Sequence, residues 1–222
     1  MKKIFKIAGI GCASLIGIFI LVSILVAIFS LDSDTQVTNS TDKENSTKKV
    51  DSAQIKENQR IKDSIALVKK ERKEKAEKKL KSFKKNEDEF EGTAFYRDPR
   101  TPNYTNINFI YPYIGQKEDN YWLRLKFQYA SDDWLFINKG ILLIDGEQYT
   151  INGNWERDNN SGIWEWLDIQ VGHKERVVLN KIANSKSAKI RYEGRQYHDD
   201  RTLTSREKNI IRKTLEIYDN LK

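Results

Sequence analysis

Hydrophobic and polar residues alternate in several short segments of the second half of the chain, as they do in half-buried β-strands. The clearest segment is 121–129, where Tyr, Leu, Leu, Phe and Tyr alternate with Trp, Arg, Lys and Gln. Less regular versions of the pattern occur in 93–97, 135–144, 147–151, 163–169 and 188–193. Asp145 and Gly146 lie between two of these segments and suit a two-residue hairpin turn. The pattern predicts a mostly antiparallel sheet.

Two helices are predicted beside this sheet. Residues 173–184 carry apolar side chains at helical spacing. Near the C-terminus, Thr204 and Glu207 have the spacing of a capping box, and an apolar stripe follows them. The predicted fold class is therefore α+β: a mostly antiparallel sheet or sandwich-like domain with a short helix and a C-terminal helix. We place this β-rich globular domain at residues 90–222.

The N-terminal part has a different pattern. Residues 7–31 contain no charged residue and are long enough to cross a hydrocarbon core of about 30 Å as a helix. We interpret them as an uncleaved signal-anchor, because residues 27–29 make a poor cleavage site. Three lysines lie in residues 1–6, and the next basic residue is Lys43. This bias predicts a single-pass protein of the cell membrane, with a cytoplasmic N-terminus and an extracytoplasmic C-terminal domain.

Small residues recur along the predicted membrane helix. Gly9, Ala13 and Gly17 are spaced by four, which lets two membrane helices approach closely. Small residues are also common in membrane helices that do not associate. The expected partner is therefore the lipid bilayer, through residues 7–31, and a homodimer through this helix face is the alternative use of the small residues.

Two polar segments connect the membrane run to the domain. Residues 32–52 are rich in Ser, Thr, Asn and Asp and predict a flexible polar linker. Residues 53–88 are rich in Lys and Glu and predict a charged helix. Ile61, Ile65 and Val68 begin a coiled-coil seam, which stops because charged residues follow. We interpret the helix as a spacer; binding of anionic lipid by its Lys-rich half is the alternative.

Charge and cysteine content narrow the function classes. The net charge is +7, but residues 1–90 hold 19 basic and 13 acidic residues, whereas 91–222 hold 20 and 19. The domain is thus nearly neutral, and nucleic-acid binding by it is not expected. The only cysteine, Cys12, lies in the apolar run, so the domain has no thiol chemistry. Zinc, phosphate-loop and nucleophile-elbow motifs are missing from the sequence, so we expect no cofactor and no metal.

Trp164 and Trp166 share one face of the predicted strand 163–169. Large aromatic residues in strands mostly pack in a core, and we favour that interpretation. If the indoles line a groove instead, they would stack on sugar rings or on apolar side chains of a partner.

Glu165 lies on the other face of this strand, between apolar residues. A carboxylate there must be paired or hydrogen-bonded, and an arginine such as Arg124 or Arg191 would neutralise it. The alternative is a general acid or base of a small extracytoplasmic hydrolase, with Asp158 or His198 as its companion.

Two polar segments are candidates for a binding site at the edges of the domain. One is the predicted loop 156–162, which includes Arg157 and Asp158. The other is the predicted turn 195–201, which includes Tyr197 and His198. Both segments hold oxygen or nitrogen ligands for a metal, but turn chemistry explains their composition better.

The strings DWLFI at 133–137, DG at 145–146, RDN at 157–159 and IWEW at 163–166 precede the capped C-terminal helix. With this set, residues 93–222 resemble a bacterial domain of unknown function that follows variable, often membrane-anchored, N-terminal regions. The resemblance implies a module but no activity and no catalytic residues.

These features predict a membrane-anchored protein that presents a non-catalytic binding module on a stalk. Its partner would be an envelope protein or an anionic polymer. Two other hypotheses are kept: the small hydrolase, and a reversed topology in which the Lys-rich helix binds anionic lipid or nucleic acid in the cytoplasm.

Overall fold

The structure, a computed structural model, describes residues 44–160 and 162–222. The predicted membrane run, with Gly9, Ala13 and Gly17, lies outside these ranges. Among the helices that are described, none combines the length and apolar character needed to cross a bilayer.

The described residues form three helices and ten strands, and residues 55–222 make one compact unit. In chain order these are α1 (Glu44–Leu80), β1 (Lys84–Asp88), β2 (Thr93–Arg97), β3 (Phe109–Lys117), β4 (Asn120–Ser131), β5 (Lys139–Ile144), β6 (Glu147–Asn152), β7 (Glu156–Asn159), β8 (Ile163–Gln170), α2 (His173–Asn184), β9 (Ala188–Glu193), β10 (His198–Thr202) and α3 (Ser205–Leu221).

The strands form two antiparallel sheets. The first has six strands in the order β1-β2-β3-β4-β8-β7, and the second has four in the order β10-β9-β5-β6. Apolar side chains from both sheets and from all three helices meet in one core cluster. The predicted α+β class with antiparallel pairing is confirmed, and burial in this shared core supplies the main stabilisation.

Local signals placed several elements correctly. Asp145 and Gly146 both have positive φ, 47° and 94°, and form the predicted two-residue turn between β5 and β6. At the start of α3, the Glu207 backbone N–H donates to Thr204 Oγ1 (3.2 Å), and the Thr204 N–H donates to the Glu207 carboxylate (2.7 Å). This is the predicted capping box.

The fold includes residues that precede Phe90, where we expected it to begin. Ala76, Leu80 and Phe83 are buried in the core cluster, and Lys84–Asp88 pair with β2 as an edge strand. Helix α1 also starts at Glu44, inside the segment expected to be a flexible linker, and ends at Leu80 rather than near residue 88. Because the last turns of α1 pack against the domain core, these contacts offset much of the free-energy cost of nucleating the helix.

Strand β3 corrects the expectation of an irregular stretch around Pro112. The Ile110 N–H points away from β4 and donates to the Glu207 carboxylate (2.9 Å). Pro112, two residues later, directs its nitrogen to the same edge, where β2 no longer pairs. Its missing N–H therefore costs no hydrogen bond within the sheet. The turn predicted at 195–201 is likewise corrected in part, because His198–Thr202 form strand β10.

Candidate functional site

The two faces of the six-stranded sheet have different surroundings. On β4, the side chains of Leu123, Leu125 and Phe127 are buried in the core cluster. Arg124 and Lys126 alternate with them and are only half-buried. We call the face that carries Arg124 and Lys126 the outer face. Each face holds one charged residue that bears on function: Glu165 on the core side and Lys126 on the outer face.

Glu165 lies on the core side of β8 and is fully buried, as the strand alternation predicted. Its Oε1 accepts hydrogen bonds from the backbone N–H groups of Leu135 (2.9 Å) and Phe136 (2.8 Å), and its Oε2 accepts one from Ile137 (2.8 Å). Three successive amides thus converge on one anion. Phe136 has a φ of 55°, which is uncommon for an aromatic residue, and the carboxylate holds the loop in this conformation.

Arg157 supplies the positive charge that a buried carboxylate requires. It is the direct cross-strand partner of Glu165 in the β7–β8 pair. Its Nε donates to Glu165 Oε2 (2.8 Å), and a terminal nitrogen donates to the carbonyl of Ile137 (2.8 Å). The same arginine therefore fixes the carboxylate and the loop that the carboxylate holds.

The partners expected for Glu165 were wrong. Arg124 pairs instead with Asp168, and Arg191 pairs with Asp200 on the second sheet. The reason is a missed strand: residues 156–162 were predicted to be a loop, whereas Glu156–Asn159 form β7 and face β8 across a hairpin.

The hydrolase hypothesis needs Glu165 to share a site with Asp158 or His198. Asp158 is exposed and pairs with Trp164, so its side chain lies on the outer face of the sheet. His198 is exposed on β10 of the other sheet. Both oxygens of Glu165 are occupied by donors. The structure does not bring these three groups together.

The expected core position of Trp164 and Trp166 is also wrong. Both indoles are half-buried on the outer face, opposite the fully buried Glu165. Strand alternation requires this arrangement once Glu165 faces the core. The tryptophans thus belong to a surface that includes other aromatic residues.

Rings from three neighbouring strands form a row on this outer face. The centroid of Phe95 on β2 lies 5.8 Å from that of Tyr113 on β3 and 6.2 Å from that of Trp122 on β4. The indole of Trp122 covers Gly115, where a Cβ atom would meet it at 2.2 Å. Glycine at this position lets the indole lie close to the sheet.

The outer face includes a cleft of about 680 Å³. Its lining comes from β1, β2, β3, β4 and β8, which means that the sheet curls around it: Lys84, Lys85, Asn86, Phe95, Arg97, Tyr111, Tyr113, Lys126 and Asp168. Four of these residues are cationic and one is anionic. The cleft is therefore basic, although the domain as a whole is nearly neutral, and it will attract anions.

Lys126 is the unsatisfied cation of this cleft. Within residues 44–160 and 162–222, its ammonium group has neither a hydrogen bond nor an ion pair, and it lies 5.8 Å from the centroid of the Trp166 ring. Burial lowers the pKa of Lys126; the carboxylates of Asp168 and Glu156 oppose this effect and Arg97 adds to it. A half-buried charge of this kind favours an anionic partner.

The one carboxylate of the cleft already has partners. Asp168 accepts hydrogen bonds from the Tyr113 hydroxyl (2.8 Å) and from Arg124 Nε (2.9 Å). Burial, with a further contribution from Asp168, raises the pKa of Tyr113 well above its usual range, so the phenol remains a donor. Arg124 thus neutralises Asp168, which leaves the positive charge of Lys126 in excess.

Two other predicted site residues lie away from this cleft. Tyr197 is 73% exposed and precedes β10, and His198 begins that strand on the four-stranded sheet. The predicted sites missed Lys126 and Arg97, although the mixed face of segment 121–129 already separated Arg124 and Lys126 from the apolar residues. The contribution of β1 had no such signal, because a short polar strand resembles the end of a charged helix.

Across the described residues, no group of three or more potential metal ligands occurs. No family model, curated protein or solved structure matches this chain. The geometry of the two faces is therefore the basis for assigning a function.

Proposed function

We propose that the chain is a single-pass membrane protein whose extracytoplasmic domain binds an anionic ligand in the outer-face cleft, without catalysis. The observation that carries this proposal is Lys126: a half-buried ammonium with no hydrogen bond or ion pair among the described residues, in a cleft with four cations and one carboxylate. An anion that entered the cleft would replace lost hydration with direct charge contacts.

Aromatic side chains extend the chemistry beyond charge alone. Phe95, Tyr111 and Tyr113 line the cleft, and the Trp166 ring lies beside the Lys126 ammonium. Such rings stack on the apolar faces of sugars or other flat groups. An anionic envelope polymer with ring-containing units fits both features, and an anionic polymer is one of the two partner classes expected from the sequence.

A binding role agrees with the environment of Glu165, the residue on which the hydrolase hypothesis depended. Its four hydrogen bonds to Leu135, Phe136, Ile137 and Arg157 give it a structural task. A general acid or base needs access to a substrate proton, and this carboxylate is fully buried. We therefore do not propose a hydrolase that uses Glu165.

The membrane anchor and the stalk would position the cleft outside the cell. The charge-free run 7–31 and the lysines before it support the anchor and its orientation. Burial of Ala76 and Leu80 in the domain core means that α1 enters the domain as a continuous, docked helix.

Binding is tested with the full chain in detergent and two polymers, dextran sulfate and uncharged dextran. We expect dextran sulfate to bind and uncharged dextran not to bind. Lys126→Met should weaken binding about tenfold, the equivalent of about 1.4 kcal/mol. Lys189→Met, on the outer side of the second sheet, is the matched control and should have little effect. Equal losses in both variants would mean general attraction to a basic protein and would overturn the proposal.

Basic surfaces with exposed rings also bind single-stranded nucleic acid. Tight binding of an oligothymidine that depends on Lys126 would favour this alternative. Whether nucleic acid can reach the cleft depends on the side of the membrane on which the domain lies. A Ser40→Cys variant with Cys12 replaced should react with an impermeant thiol reagent in intact cells; reaction only after lysis would place the domain in the cytoplasm.

A further inference from the structure

Two of the four cations of the cleft, Lys126 on β4 and Arg97 on β2, come from the strands on either side of β3. Arg97 uses one terminal nitrogen to donate to the carbonyl of Pro102 (3.0 Å), which neutralises no charge. Lys84 likewise donates only to a neutral group, the Asn103 side-chain oxygen (2.8 Å), whereas Lys85 pairs with Glu87. Lys126, Arg97 and Lys84 therefore line the cleft without an ion pair among the described residues, and Arg97 lies near enough to Lys126 to contribute to the lowering of its pKa.

The acidic groups nearby offset this positive charge only in part: the carboxylates of Asp168 and Glu156 oppose the lowering of the Lys126 pKa by burial, but neither forms an ion pair with it among the described residues. Asp168 on β8 is held by Arg124 and the Tyr113 hydroxyl. Glu156 on β7 is exposed and has no hydrogen bond or ion pair among the residues that the structure describes. More than one cation without an ion pair in a partly buried cleft favours a ligand group that carries two negative charges, because a single negative charge leaves the excess positive charge less compensated.

The polar and aromatic lining indicates what the charged group is attached to. Asn86 supplies a neutral hydrogen-bonding group at the cleft, and Phe95 and Tyr113 supply ring faces. Hydroxyl-bearing rings, such as those of sugars, need this combination of hydrogen bonds and aromatic stacking.

We propose that the cleft binds a phosphate monoester carried on a sugar, with Lys126 and Arg97 sharing the phosphate oxygens and the aromatic side chains contacting the ring. This proposal rests on the proposed function, since it names the ligand class of the same cleft. A phosphate monoester carries close to two negative charges at pH 7, whereas a carboxylate carries one.

The test uses the full chain in detergent and isothermal titration with four probes: glucose 6-phosphate, glucose 6-sulfate, glucuronate and glucose. The phosphate and sulfate esters have the same tetrahedral shape, but the sulfate ester has one negative charge. We expect glucose 6-phosphate to bind at least tenfold more tightly than the other three probes. Lys126→Met and Arg97→Gln should each remove this preference, whereas Lys189→Met should keep it.

A second measurement changes the ligand instead of the protein. The second pKa of a phosphate monoester is about 6, so lowering the pH from 7.5 to 5 removes one of its charges. The affinity for glucose 6-phosphate should then fall towards that for glucose 6-sulfate. Titration of the protein itself would change the affinity for both esters, which makes the sulfate ester the internal control.

The outcomes separate this inference from the function on which it depends. Equal binding of phosphate ester, sulfate ester and glucuronate, lost in Lys126→Met, would overturn the phosphomonoester assignment and keep an anion-binding cleft. If none of the charged probes binds and dextran sulfate binding is also independent of Lys126, both proposals fail. Circular dichroism of each variant establishes that a loss of binding does not come from unfolding.

Discussion

Glu165 and Lys126 are charged residues on adjacent strands of one sheet, but they lie on opposite faces and have opposite environments. Glu165 is fully buried and accepts four hydrogen bonds, three from backbone amides and one from Arg157. Lys126 is half-buried and has no hydrogen bond or ion pair among the described residues. Burial alone would make Glu165 the more unusual residue. Lys126 is the more unusual one when the partners of each charge are compared.

The difference separates a structural charge from a charge that is available to a ligand. A buried carboxylate surrounded by donors stabilises the conformation of those donors, here the loop 135–137. A half-buried ammonium that contacts an aromatic ring but has no hydrogen bond or ion pair among the described residues costs free energy in the unliganded protein, and a bound anion would recover part of it. The comparison therefore predicts that changes at Glu165 affect folding, whereas changes at Lys126 affect binding.

Glu165→Gln should have the largest effect on stability. The amide keeps the shape of the side chain but points an N–H₂ group at backbone donors, and it leaves the solvent-accessible Arg157 without its carboxylate partner. We expect a loss of about 3 to 5 kcal/mol in the free energy of unfolding, measured by urea denaturation, because at least two hydrogen bonds to a charged group, each of about 1.5 to 3 kcal/mol, are weakened or lost. Glu156→Gln, an exposed position on the neighbouring strand, is the control and should change stability by about 0.5 kcal/mol or less. If Glu165→Gln changed the free energy of unfolding only slightly, Glu165 would not be the structural charge described above.

Arg157→Met should have the next largest effect, because the carboxylate keeps its three backbone donors but loses its cation. We expect a loss of about 1.5 to 3 kcal/mol, the range for hydrogen bonds to a charged group. Arg195→Met is a close control. The guanidinium of each arginine lies over the Phe136 ring, at 5.7 Å for Arg157 and 5.1 Å for Arg195, but only Arg157 reaches Glu165. Equal losses would mean that the contact with the ring, and not the ion pair, accounts for the effect.

The need for a partner at Glu165 could be predicted from sequence, but the identity of the partner could not. Strand alternation placed the residue on an apolar face, and a buried carboxylate must be satisfied. The partner depends on the register of the β7–β8 hairpin, which brings Arg157 opposite Glu165. The sequence 156–162 looks like a loop because its polar residues carry no strand pattern, so this register has no local signal.

The cleft was still harder to predict. Helix α2 and strand β9 lie within their predicted bounds, 173–184 and 188–193, because apolar periodicity is a local property. The cleft instead requires five strands to curl around one space, with Lys84 and Asp168 at distant positions in the chain. Lys126 was visible as the polar side of a strand, but its half-burial and missing partner are properties of the assembled sheet.

Gly115→Ala tests the outer face without changing a charge. The added methyl group would overlap the Trp122 indole, which must move away from the sheet and from Phe95. We expect a loss of about 1 to 2 kcal/mol, at the lower end of the range for overpacking because the ring is only half-buried. Near-ultraviolet circular dichroism should change as well.

Gly162→Ala is the control, since its Cβ would meet only the Ser131 carbonyl oxygen at 3.8 Å. An unchanged spectrum would mean that the aromatic row is not ordered.

Lys126→Met should have the smallest effect on stability and the opposite sign. Methionine keeps an apolar stem against Trp166 and removes the unsatisfied charge, so stability at pH 7 should be unchanged or higher by about 0.5 kcal/mol.

Because burial lowers the pKa of Lys126 in the folded state, the unfolded state binds more protons between the folded and unfolded pKa values. The wild-type protein should therefore gain stability relative to the variant as the pH rises through that interval. Urea denaturation at pH 7 and above pH 10 measures this gain. A variant that is less stable at pH 7 would show that Lys126 already has a stabilising partner, and the contrast with Glu165 would then disappear.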